Sequence, residues 1–110
     1  MIEFEDFQRV EMATGTIVEA KANEKARVPA YILRIDFGES WGEKMSSAQL
    51  TANYSVEDLV GRQIVAVMNF PPRRIAGLKS EVLVLGAVCD EHGVVLLRPD
   101  FAVDNGAAIG

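Results

Sequence analysis

Residues 61–85 read GRQIVAVMNFPPRRIAGLKSEVLVL, and this stretch decides the fold. RQIVAVMNF is rich in β-branched and apolar residues and predicts a strand. Pro71 and Pro72 cannot donate to a sheet ladder and therefore end it. The stiff Pro-Pro step then carries a loop away from the sheet. Arg73, Arg74 and Lys79 put three cations on that loop within seven positions. Gly77 permits a sharp turn or a close backbone approach. Beyond the loop, VLVLGAV and VVLLRP predict two apolar strands, joined through DEHG in a hairpin at Gly93.

Working back toward the N-terminus, TANYSVEDLVG holds Ser55 three residues before Asp58, the spacing of a capping box, and Gly61 follows as a stop. One helical turn is expected there. KMSSAQL predicts a short polar strand, after the turn ESWGE. In AYILRIDFG, Tyr31, Leu33, Ile35 and Phe37 alternate with Arg34 and Asp36, as in a half-buried strand. NEKARVP is a charged connection. TGTIVEAKA predicts a strand around Thr16, Ile17 and Val18. Residues 5–12, EDFQRVEM, predict a short helix capped by Asp6 and broken by Thr14-Gly15. The tail DFAVDNGAAIG is expected to be extended, with an Asn-Gly turn. Five or more short strands in about 100 residues indicate an all-β domain, a small barrel or sandwich. A five-stranded OB-fold Greek-key barrel with a short N-terminal helix and a C-terminal extension fits the count. With no linker or repeat to divide it, the chain is expected to be a single domain over 1–110.

Composition narrows the function. The chain is 49% apolar and 25% charged, with a net charge of −5, which argues against a nonspecific duplex-DNA binder. The charge is unevenly spread: residues 1–43 carry a net −4, residues 44–86 a net +2 and residues 87–110 a net −3. An acidic protein can thus still present a basic site if its middle third folds onto one face. The single Cys89 forms no internal disulfide and no multi-cysteine metal site. The acidic N-terminus does not read as a signal peptide. The apolar runs VLVLGAVC and VVLL are far shorter than the roughly 20 residues of a membrane helix, so no membrane insertion is expected. A cytoplasmic protein is the expectation.

The search for catalytic groups returns little. His92 lies in a turn among acids, and Cys89 has no activating neighbour in sequence. Ser46 and Ser47 lack a nucleophile-elbow context. Gly38, Gly42 and Gly61 are scattered turn glycines, not a phosphate loop. Glu3, Glu5 and Asp6 crowd the terminus without suggesting a metal site. Neither an enzyme nor any cofactor or metal is expected. Binding is better supplied. Asn69 and Ser80 flank the Arg-Lys loop, and such a set suits a phosphate-sugar backbone with exposed base edges, although it equally suits a solvated surface loop. Lys44, Ser46 and Gln49 of KMSSAQL are placed to line a groove. Met45, Ser47 and Leu50 occupy the other phases. Among eight aromatics, Phe37 and Tyr31 read as core. Trp41, Tyr54 and Phe70 adjoin turns, either packed or free to stack on a base or hold a peptide side chain.

These residues resemble the OB-fold tRNA-binding domain family. The resemblance runs through TGTIVEA, ARVPAYILRIDFGE, KMSSAQLTANYSVEDLVGRQIVAVMNFPPRRIAGLKSEVLVLGAV and VVLLRP, and covers nearly the whole chain. The variants SSAQ and NFPPRRIAG are similar to those of the CsaA-type export-chaperone branch. The resemblance implies an OB-fold barrel whose terminal additions build a symmetric homodimer. It also implies a ligand: tRNA or other structured RNA in the family at large, unfolded or precursor proteins and possibly the export machinery in that branch. Carried over by position, the RNA-facing residues are Lys44, Ser46, Ser47, Asn69, Arg73, Arg74, Lys79 and Ser80. A peptide-binding groove would use Phe70, Ile75 and Leu78. The connection NEKAR departs from the lysine-rich loop usual in members dedicated to tRNA. Phe4, Phe7, Val10, Val103 and Ile109 are apolar residues hard to place in so small a core; either a partner subunit or the chain's own barrel is expected to cover them.

Overall fold

The computed structural model describes residues 1–91 and 93–110; His92, read above as a turn residue, lies outside the described residues. The order of elements is α1 (Phe4–Gln8), β1 (Met12–Ala22), β2 (Tyr31–Asp36), β3 (Glu43–Ala48), α2 (Val56–Leu59), β4 (Gln63–Val67), β5 (Arg73–Ile75), β6 (Leu78–Ser80), β7 (Leu83–Val84), β8 (Gly86–Cys89) and β9 (Gly93–Leu96). Five strands form one antiparallel sheet in the order β3-β2-β1-β4-β7, and β5-β6 and β8-β9 form two separate hairpins. The sheet curls into a nearly closed barrel, the all-β architecture expected from the sequence.

Strand β1 is long enough to serve two neighbours. Its first half pairs with β4, Met12 opposite Val67 and Thr16 opposite Gln63. Its second half pairs with β2, and the register shifts between Ile17 and Glu19. Such a bulge bends a strand and increases its twist, which lets one strand turn the corner of a barrel. Thr14 and Gly15 do not break a helix, as the sequence suggested, but lie buried inside β1. A β-carbon on Gly15 would stand 2.6 Å from the Phe37 ring and 2.8 Å from Ile35, so the missing side chain makes room for the core.

The alternation in β2 survives intact: Leu33, Ile35 and Phe37 are fully buried, joined by Ile17, Leu59 and Ile64. Truncating a residue such as Leu33 to alanine costs about 2–5 kcal/mol. The helix α2 starts as its capping box predicts, Asp58 N–H donating to Ser55 Oγ at 3.3 Å and Ser55 N–H to Asp58 Oδ2 at 3.2 Å. Gly61 ends it at φ +91°.

Three expectations are corrected. Helix α1 is shorter than residues 5–12, because Met68 N–H donates to Glu11 O and Met12 already pairs with Val67. Asp6 is not its cap but sits at the third helical position, its carboxylate accepting the Glu3 N–H at 2.9 Å. VLVLGAV splits into β7 and β8, which run on either side of Leu85. The tail is extended as expected, and it is zipped onto β1. Thr14 N–H donates to Ala107 O, Gly106 N–H to Thr14 O and Ile109 N–H to Met12 O, with Ala13 and Ala108 bridged.

Candidate RNA-binding surface

The arginine-rich segment is a hairpin, not the loop that its polarity suggested. Arg73 pairs with Ser80, Arg74 with Lys79 and Ile75 with Leu78. The turn works because both of its central residues take positive φ, Ala76 at 49° and Gly77 at 83°. That is the twist two-residue hairpins favour. Strand alternation then sorts the side chains. Arg74 and Lys79 share one face of the hairpin. Arg73, Ile75, Leu78 and Ser80 share the other, where Ser80 is buried and Ile75 and Leu78 half-buried.

The hairpin leans on the seam that closes the barrel. Glu81 N–H donates to Met45 O at 2.8 Å, and Glu81 Oε2 accepts the Met45 N–H at 2.9 Å. Ser47 N–H donates to Ser80 Oγ at 3.1 Å, and Ser46 Oγ donates to Val82 O at 3.1 Å. Ser46 is only 1% exposed. Its hydroxyl and that of Ser80 therefore stitch the seam, while Ser47, on the opposite phase of β3, remains partly open. The phase read from the sequence placed Ser46 in the groove; the structure places Ser47 there. Asn69 tethers the N-terminal segment, its Nδ2 donating to Arg9 O at 2.8 Å and its Oδ1 accepting the Glu11 N–H at 3.0 Å.

Two grooves flank the hairpin. The larger, about 410 Å³, has apolar walls from Phe70, Pro71, Ile75, Val82 and Leu83, with Ser47, Arg73, Ser80 and Glu81 as its polar groups. The smaller, about 330 Å³, runs between the hairpin tip and the connection that follows β1, and Lys25 and Arg27 bring two cations to it. Ser47 and Ile75 line both. The structure thus unites Ser47, Phe70, Arg73, Ile75 and Ser80 in one groove and keeps Arg74 and Lys79 on the other face of the same hairpin. Lys44 and Leu78 line neither groove. Lys25 and Arg27 come from the charged connection NEKAR, whose basic pair is their only signal in the sequence.

None of the cations around the hairpin is ion-paired among the described residues. Among the described residues, ion pairs form only at Arg34, which meets Glu43 at 2.8 Å and Glu19 at 3.7 Å, outside the grooves. The Glu43 hydrogen bond and charge hold the Arg34 guanidinium above its ordinary pKa. Of the three aromatics near turns, Trp41 and Tyr54 pack against the core. Tyr54 also carries Arg62 over its ring at 5.1 Å and accepts the Leu96 N–H at 3.0 Å. Phe70 remains 53% exposed. No described helix is long and apolar enough to cross a membrane.

A barrel with a cation-clad hairpin on its closing seam defines a class. Residues 12–108 match the family described as "Putative tRNA binding domain", and the chain belongs to that tRNA-binding domain family. Within it, the chain is similar over its whole length to the crystallised chaperone CsaA of Bacillus anthracis str. Ames, at 54% identity and a TM-score of 0.94, covering 100% of this chain and 99% of that one. The CsaA chaperone protein of Picrophilus torridus is 45% identical, with a TM-score of 0.95 and full coverage of both chains. The methionine–tRNA ligase of Thermococcus onnurineus (strain NA1) is 32% identical over 108 residues, 98% of this chain but 14% of the ligase. The chain spans between 14% and 16% of the length of the first curated relatives it matches.

Proposed function

We propose that the chain is a non-enzymatic cytoplasmic binding protein that holds tRNA, or another structured RNA, on the surface around the β5-β6 hairpin. The observation that carries this reading is the set Lys25, Arg27, Arg73, Arg74 and Lys79, gathered about one hairpin with none of them ion-paired to a carboxylate among the described residues. Unpaired cations are what a phosphate backbone requires, and each phosphate contact releases counterions and so adds salt dependence. The rest of the acidic surface repels nucleic acid and confines it to this hairpin. Membership of the tRNA-binding domain family supports the same ligand. Replacing Arg73 and Arg74 together with alanine is expected to weaken different tRNAs alike and to flatten the salt dependence by roughly one unit per lost contact. An unchanged slope would contradict the assignment of this surface.

A second reading is favoured by the larger groove. Its walls of Phe70, Ile75, Val82 and Leu83 suit an apolar segment of unfolded polypeptide. The similarity to CsaA chaperones supports a chaperone role; precursors bound for export are the clients proposed for it. Slowed aggregation of a denatured client, at stoichiometric protein and without nucleotide, is the expected result; unchanged aggregation would rule this reading out.

The proposal includes a homodimer. Phe4 is 68% and Phe101 76% exposed, although residues 106–109 of the tail are hydrogen-bonded to β1. Val10 and Val103 are exposed as well. A second subunit covering them would present two hairpins to one RNA, and linked sites gain affinity by about 100-fold or more where both engage. A solution mass of twice 12.0 kDa is expected, and a monomer at micromolar concentration would contradict it.

A further inference from the structure

We infer that the larger groove is the seat of one unpaired base of the bound RNA, stacked on the Phe70 ring and read by Glu81. The inference rests on the RNA reading above and specifies which part of the RNA enters the groove. The groove's walls are apolar and its volume of about 410 Å³ lies within the range of small-molecule clefts. A hydrated phosphate gains nothing from Phe70, Ile75, Val82 and Leu83, whereas a base loses unfavourable contact with water and gains a π-face partner. The Phe70 ring is half exposed, and Pro71 and Pro72 follow it directly, so the chain that presents it is stiff.

The carboxylate of Glu81 excludes the alternative occupant within the RNA. It repels a phosphate at close range. Its Oε2 is held by the Met45 N–H at 2.9 Å, which fixes the group in place and leaves Oε1 to accept from a ligand. A carboxylate oxygen suits an exocyclic amine, as in the pairing of Glu or Asp with the cytosine amine. Adenine, cytosine and guanine supply that donor, and uracil does not. Arg73 lines the same groove and has no ion-pair partner among the described residues, so the phosphate adjoining the base has a cation at the rim. The groove therefore joins a stacking platform, an amine acceptor and a phosphate partner within one short stretch of chain, residues 70–81.

The test compares wild type, Phe70→Ala, Phe70→Trp and Glu81→Gln, each binding bulk tRNA and a short single-stranded RNA that carries one 2-aminopurine. The exposure of Phe70 lets its two variants fold, Glu81→Gln keeps a side-chain oxygen to accept the Met45 N–H, and an unchanged melting transition checks all three. Phe70→Ala is expected to weaken tRNA binding about 10-fold with its salt slope unchanged, because a stack carries no counterions. Phe70→Trp is expected to retain affinity. The 2-aminopurine fluorescence is expected to be quenched by wild type and Phe70→Trp but not by Phe70→Ala, and Glu81→Gln to reduce discrimination of cytosine from uracil. Wild-type tRNA affinity in Phe70→Ala would overturn the inference. If that variant at the same time no longer retains an unfolded polypeptide, the groove belongs to polypeptide and the RNA surface stands. Absence of tRNA binding by the wild-type protein would overturn the inference and the RNA reading together.

Discussion

The Lys25 side chain lies against Gly77. A β-carbon on Gly77 would stand 3.4 Å from Lys25 Cδ and 3.6 Å from its Nζ. The connection after β1 and the tip of the arginine hairpin are thereby brought together, although 52 positions separate the two residues in the chain. The bare turn at φ +83° lets a lysine from one loop sit over the other.

This turn can be tested by substitution in both directions. Gly77→Ala is expected to cost roughly 1 kcal/mol, since a side chain disfavours positive φ. Ala76→Asn, at φ 49°, is expected to stabilise the hairpin by up to roughly 1 kcal/mol, because Asn-Gly is the favoured pair for such turns. Urea unfolding of the two variants gives both signs.

Thr14 holds the tail with one hydroxyl, donating to Asp104 O at 2.9 Å and accepting the Ala107 N–H at 3.1 Å. It is 1% exposed, so water does not replace the lost partner. Thr14→Val is expected to cost about 1–3 kcal/mol and to make residues 104–110 more sensitive to limited proteolysis. Thr14→Ser restores both.

Asp58 gives a pH dependence of known sign. The Ser55 backbone N–H, and then the Ser55 hydroxyl, hold its carboxyl below the ordinary value of 3.8. A depressed folded-state pKa contributes stability that is present above the unfolded value and is lost as the pH falls through the folded one. Wild type is therefore expected to be more stable than Asp58→Asn at neutral pH. The gap should close as the pH falls below about 4, measured as denaturation midpoints of the two proteins across that range.

Legibility in the sequence follows how local each determinant is. The alternation from Tyr31 to Phe37 and the Ser55–Asp58 box are contained in a few residues, and both appear in the structure as read. The β5-β6 hairpin was hidden because Ala76 is a poor turn signal and Arg73, Arg74 and Lys79 show no apolar alternation. On β3, Ser46 and Ser47 are chemically alike, so their phase was fixed only by what packs on them, Val82 and Ser80 respectively. Nothing near Thr14 in the sequence signals its role, because its partners, Asp104 and Ala107, lie about 90 positions away. Lys25 and Arg27 became part of the surface through the same kind of distant contact. The cations of the middle third are thus legible as a cluster, and the outline of the surface they share with Lys25 and Arg27 is not.

RNA is expected to meet the protein at the cationic hairpin. Amide spectra of isotope-labelled protein, recorded while tRNA is added at low ionic strength, test this most directly. The expected result is perturbation of residues 73–80 and 25–28, with α1 and the tail on β1 unmoved. Perturbation confined to α1 and the tail, with the hairpin amides unchanged, would contradict it.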